Sequence, residues 1–187
     1  AHRDAGAGDD RLARLRPRFP DPARAPVDYL AAWHSLPRWL VERWHARYGF
    51  AACDALLAHM NRPAPVCLHV LAPQDPAAVA ATLAADGAST TPGRHHARAL
   101  VLNARHDRDV LRGWLATHPG LIVQDEAVQA ATAWLAQDLS SPVLDLCAAP
   151  GGKAVHLASL LPAEGIVVAL DLRPRRLRRL QETLGRL

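Results

Sequence analysis

Apolar positions recur along this chain with two periods, and the switches between them outline its elements. From Asp28 to Met60 the spacing is helical. Pro37 suits the first turn of a helix carrying Trp39, Leu40, Arg43 and Trp44, since a first turn leaves its amide unpaired anyway. Tyr48-Gly49-Phe50 interrupts that helix. Cys53 to Met60 forms a second, with Leu56, Leu57 and Met60 on one face and Asn61-Arg62-Pro63 as its stop. Pro65 to Leu71 reads as a strand. Asp75-Pro76 opens a helix through Ala85, Asp86-Gly87 closes it, and Ala97 to Leu102 is a second strand. Asp107 to Trp114 reads as a short helix, Leu121 to Val123 as a short strand and Glu126 to Ala136 as a helix. Then come strand, loop, helix, strand and helix from Val143 onward, the second strand running from Ile166 to Leu170 and ending on Asp171. Residues 1–27 carry Pro17, Pro20, Pro22 and Pro26 and read as a linker, with one short helix around Leu12 to Arg16. A boundary is expected near Gly120, between a small α+β module (28–120) and a second domain (121–187).

Composition narrows the class. Of 187 residues, 50% are hydrophobic, enough for a packed core. The net charge is +4, and the basic residues are arginines except for Lys153. Arginine suits phosphate and planar bases, but a GC-rich coding sequence explains the same bias. Cys53, Cys67 and Cys147 form no Cys-x-x-Cys pair, which points to a reducing compartment and a cytoplasmic protein. No apolar run is long enough to span a bilayer, and the first residues do not read as a signal peptide.

The chemistry concentrates after Val143. A strand feeding a glycine-rich turn into a helix aims backbone N–H groups and a positive dipole end at a ligand. Gly151 and Gly152 allow close backbone approach. Asp171 lies 19 residues beyond Gly152, near the spacing of about 20 at which a strand-terminal acid holds a ribose. Cys147 and Ala154 stand where a P-loop needs glycine and a hydroxyl, and Gly-x-Gly-x-x-Gly is absent. A ligand without phosphates, such as S-adenosylmethionine, fits better. A plain strand-to-helix turn and a helix-capping Asp171 are the structural alternatives.

Asp145-Leu146-Cys147-Ala148-Ala149-Pro150-Gly151-Gly152-Lys153 resembles the first motif of the RNA cytosine-5 methyltransferases of the Sun/RsmB type. Gln124-Asp125-Glu126-Ala127 resembles the segment that precedes it there. Pro37 to Trp44, Tyr48-Gly49 and Asn61-Arg62-Pro63 resemble that family's RNA-binding module. The resemblance implies an α/β fold: the amino-terminal half of a Rossmann-like methyltransferase domain behind a small α+β RNA-binding module. Cys147, Ala148, Ala149, Pro150, Gly151, Gly152 and Lys153 would wrap S-adenosylmethionine, with Asp171 on the ribose and Arg176 beside it. The partner would be small-subunit ribosomal RNA, and residues 1–27 would be the end of a NusB-like domain. Val128 and Ala154 replace a usual serine and threonine. The family's nucleophilic cysteine, which adds to carbon 6 of cytosine, is expected beyond Leu187. No catalytic residue is therefore assigned here, and the chain alone is expected to be inactive.

Other features weigh less. The ten histidines show no recurring ligand spacing, so no metal site is expected. Arg94, His95, His96 and Arg98 read as a solvated basic loop. Trp39 and Trp44 read as core, and Cys53 and Cys67 as buried apolar residues. Leu177, Leu180, Leu184 and Leu187 form a stripe expected to pack on the sheet, with Arg173, Arg175, Arg176, Arg178 and Arg179 in water. Two parallel strands leave an open edge and an exposed face, so marginal stability or self-association of the isolated chain is expected. Two other classes stay open: a non-enzymatic RNA-binding protein with a vestigial cofactor loop, and a methyltransferase completed by a second chain.

Overall fold

The computed structural model describes residues 18–187; the helix expected at Leu12 to Arg16 lies outside them. The chain divides after Ala64 into two compact units. The first contains α1 (Pro26–His34) and α2 (Arg38–Met60). Helix α2 runs through the expected interruption but kinks at Gly49, whose φ of 74° and ψ of 175° are non-helical. Glycine carries this conformation without the Cβ penalty other residues meet. Tyr29, Leu30, Val41, Cys53 and Leu57 form the core here, with Trp44 packed at its margin. Trp39 is 65% exposed, and Met60 is also exposed. Trp39 was expected inside. Helical spacing alone does not say how wide the buried stripe is, and Val41 and Leu57 already fill it.

The second unit begins with β1 (Cys67–Val70), α3 (Pro76–Ala85), β2 (Thr90–Pro92), β3 (Ala99–Leu102), α4 (Arg108–Thr117) and β4 (Leu121–Val123). The sheet order is β2-β3-β1-β4, with every pair antiparallel. This is the split β-α-β arrangement of ferredoxin-like folds. Strand β2 is an edge strand, where Pro92 costs no ladder bond. Leu121–Val123 pairs with β1, so the sheet runs across the boundary expected at Gly120. All four residues of β1 are buried because both faces of the sheet are covered. On one face Leu68, Val70, Leu100, Leu102 and Leu121 pack with Val79 and Leu83 of α3 and Trp114 of α4.

The other face meets the carboxyl-terminal elements: α5 (Glu126–Leu135), β5 (Val143–Asp145), α6 (Gly152–Leu160), β6 (Val167–Ala169) and α7 (Pro174–Leu184). Strands β5 and β6 are parallel, as a right-handed β-α-β crossover requires. Leu71 and Ile122 from the ferredoxin-like part share a core with Ala148, Ala154, Val155 and Leu180. The leucine stripe is only half buried. Leu180 is inside and Leu177 packs beside it, while Leu184 and Leu187 are exposed. Arg186 turns inward and donates to the carbonyls of Leu115 (2.7 Å) and Leu121 (2.9 Å).

Candidate functional site

The structure draws the loop 147–153, Asp171 and Arg176 together. Helix α6 starts at Gly151, which takes the left-handed region (φ 115°) and supplies no side-chain cap. The first amides of α6 are therefore free of any side-chain acceptor of that kind, as an anion- or ligand-binding helix start requires. Asp171 lies two residues beyond β6 and is held on three sides. Its Oδ2 accepts from the Ala149 amide (3.2 Å), its Oδ1 accepts from the Arg173 amide (2.9 Å), and Arg176 Nη1 stands 3.8 Å from Oδ2. Arg176 Nη2 also donates to the Ala149 carbonyl at 2.9 Å. The Arg173 amide, then the Ala149 amide and Arg176, hold the Asp171 carboxyl below its ordinary range against the cost of burial. Its side chain is 6% exposed. Asp171 thus ties the loop to the segment between β6 and α7.

Two concavities flank the loop. One, of about 330 Å³, is lined by Asp145, Leu146, Lys153 and Leu157 with Thr132 and Leu135 of α5. The other, of about 600 Å³, meets the loop at Pro150 and Gly152 and carries Arg108, Arg112, Arg179 and Arg186. Lys153 is exposed. Cys147 is an exposed free thiol, and Cys53 and Cys67 are buried, where burial pushes their thiols up.

The segment Gln124-Asp125-Glu126 organises the far side of the loop. Asp125 caps α5 by accepting from the Ala127 amide at 2.9 Å. Glu126 Oε1 accepts from the amides of His95 and His96. Gln124 Oε1 accepts from His69 Nδ1–H at 2.8 Å. Two of these bonds place His69 of β1 and His96 of the β2–β3 loop, and His156 of α6 meets them in one cluster, His69 and His156 buried and His96 half-buried, with ligating atoms within 4.8 Å of one another. The loop expected to be solvated is partly internal: Arg94 and His95 are exposed, while His96 and Arg98 are half-buried. Arg98 donates to the carbonyls of Val70 (2.6 Å) and Gln74. No metal site was expected from sequence spacing, and these three histidines come from three separate segments.

Within the chain, His69 Nε2, His96 Nδ1 and both ring nitrogens of His156 have no hydrogen-bond partner. Leaving a buried polar group unpaired costs about 1–3 kcal/mol. Burial lowers His69 to about 4 and His156 to about 3, and it also lowers His96.

Comparison with known proteins gives a consistent picture. Residues 132–187 match the family model "16S rRNA methyltransferase RsmB/F", and residues 36–109 match the ferredoxin-like domain of RsmF/B-like methyltransferases. The chain is 32% identical over 173 residues to the probable ribosomal RNA small subunit methyltransferase B of Bacillus subtilis (strain 168), covering 89% of this chain and 37% of that protein. It is 38% identical over 158 residues to the ribosomal RNA small subunit methyltransferase B of Xylella fastidiosa (strain 9a5c), covering 84% and 36%. The chain thus spans little more than a third of these relatives' length. Among solved structures, a methyltransferase homolog protein from Pyrococcus horikoshii superposes with a TM-score of 0.71 at 21% identity, covering 84% of this chain and 52% of that one.

Proposed function

Since the chain belongs to the RsmB/F methyltransferase family, we propose that it is the cofactor-loop portion of an S-adenosylmethionine-dependent rRNA (cytosine-5)-methyltransferase acting on small-subunit ribosomal RNA. The observation that carries this reading is the loop 147–153 held by Asp171 and Arg176 at the uncapped start of α6. The donor set fits the cofactor. Free amides at Gly152 and Lys153 suit its carboxylate, and Asp171, pinned by two amides, keeps lone pairs for ribose hydroxyls. Cys147, Ala148, Ala149 and Pro150 shape the turn. When bound, S-adenosylmethionine supplies a methyl group on a sulfonium. The residues of this chain bind and orient that group.

No thiol here is set up as the family's nucleophile. Cys53 and Cys67 are buried with raised thiols, and Cys147 sits in the cofactor loop itself. Methyl transfer by the 187-residue chain alone is therefore not expected, and 5-methylcytosine formed by the purified chain would overturn this. The groove bearing Arg108, Arg112, Arg179 and Arg186 is the surface we assign to RNA phosphates. A ribosomal substrate makes the setting cytoplasmic, in keeping with the lack of a membrane-spanning helix among the described residues.

The first test is calorimetry with S-adenosylmethionine on the chain and on Asp171→Ala, with circular dichroism as a check on folding. Saturable binding lost in the folded variant supports the reading. RNA binding without cofactor binding would favour a non-enzymatic RNA-binding protein that keeps the loop by descent.

A further inference from the structure

We propose that His69, His96 and His156 form a binding site for a divalent first-row transition metal ion, with zinc as the fitting example, that fastens the cofactor-loop helix to the ferredoxin-like sheet. The three residues come from β1, the β2–β3 loop and α6, 87 positions apart at the extremes. Their rings approach at centroid distances of 4.1, 5.3 and 5.7 Å.

Lone pairs on the unpaired ring nitrogens point to a cation as the ligand. Gln124 Oε1 accepts from Nδ1–H of His69, so Nε2 of His69 carries the lone pair, and that buried atom has no partner. This is the arrangement in which a second residue fixes the tautomer of a metal-binding histidine. His156 is 1% exposed and has neither nitrogen bonded, and His96 adds an unpaired buried Nδ1. An all-imidazole set suits zinc, nickel, copper or cobalt and is too soft for magnesium or calcium. Zinc bonds of about 2.0–2.1 Å in a tetrahedron place ligand atoms about 3.3 Å apart. The observed limit of 4.8 Å closes to that by small rotations of the rings. A fourth position is left for water. One water alone, with two protons to give, leaves a third lone pair unmet.

Local charge is compatible. Glu126, bonded to the His95 and His96 amides, supplies a negative charge beside the site, while Arg98 opposes the cation but has its guanidinium committed to the Val70 and Gln74 carbonyls. Burial keeps the imidazoles neutral, and hence able to ligate, at neutral pH. The ion would act structurally. Helix α6 begins where the loop 147–153 ends, so a bond from His156 to two parts of the sheet fixes the loop's position. This inference does not depend on cofactor binding.

The test is titration of the chelator-treated chain with zinc by calorimetry, followed by cobalt(II) as a visible-absorption probe of coordination. One equivalent of zinc should bind, and cobalt should give the intense bands of a four-coordinate site. His156→Gln and His69→Gln should abolish both signals, and His59→Gln, at an exposed position, should change neither. Gln124→Ala leaves all three ligands in place and should weaken binding about 10–100-fold, which keeps the site testable if a ligand variant fails to fold. No saturable binding, or one-equivalent binding unchanged in His156→Gln and Gln124→Ala, would overturn the proposal.

Discussion

Gly151 and Gly152, adjacent in one turn, are not equivalent. Gly151 sits at φ 115°, and a Cβ there would lie 2.9 Å from Leu180 Cβ, so both backbone and packing exclude a side chain. Gly152 has ordinary φ, and a Cβ would come no nearer than 3.6 Å to Gln124. Gly151→Ala should therefore cost on the order of 2 kcal/mol, read as a lower urea midpoint. Gly152→Ala should move that midpoint little. Equal effects would contradict the turn as described. At His69 and His156 the governing effect is electrostatic. Burial, reinforced by Arg98 and by the neighbouring imidazoles, holds them at about 4 and about 3 against an ordinary 6.5. Gln124 at His69, and Gln129 with Glu126 at His96, pull the other way. Below pH 6.5 the unfolded chain takes up protons that the folded chain refuses. Stability of the metal-free chain should thus be full above that pH and fall as pH drops toward 4, by about 1.4 kcal/mol per unit for each histidine. Denaturant midpoints in chelator at neutral pH and near pH 5 check this, and a flat profile would count against a neutral buried cluster.

At the scale of elements, the helices were legible where a cap announced them. Asp75-Pro76, Asp107 and Asp125 each open a helix, and each aspartate accepts amides of the following turn. A carboxylate on so short a side chain reaches those amides without leaving its own backbone position. Asp125→Ala should cost about 1 kcal/mol and should loosen α5, which delivers Gln129 to the sheet; thermal melting reads it. Strand β2 escaped notice because Thr90-Thr91-Pro92 is short, polar and at an edge. It offers no apolar alternation, and its pairing with β3 is a tertiary fact. The β-branched pair Thr90-Thr91 was the one available signal.

For the molecule as a whole, the parallel pair β5–β6 covers only its inner face. Leu144, Ile166, Val168 and Leu170 are exposed, and Leu172 is 95% exposed. Such a face favours association of the isolated chain. Light scattering should show mass rising with concentration, and Leu144→Lys with Val168→Lys should suppress it; a monomer at all concentrations would refute the expectation. RNA affinity should fall steeply with salt, since phosphate contacts release counterions. Arg108→Ala with Arg112→Ala should weaken binding and flatten that slope by about 1 for each phosphate left unneutralised, measured by fluorescence anisotropy across a salt series.

What the residues determined by themselves is local: period, caps, turns, and a nine-residue motif whose backbone needs are written into Pro150, Gly151 and Gly152. These depend on neighbours a few positions away, so they read directly. Contacts between distant segments were decided by folding. Leu121–Val123 joined the ferredoxin-like sheet because β1 had a free edge to pair. Arg98 and Arg186 turned inward because carbonyls at Val70, Leu115 and Leu121 needed donors. His69, His96 and His156 met because the second face of that sheet was covered by α5 and α6. No spacing rule anticipates a cluster assembled from three segments, since only the packed chain brings their nitrogens together.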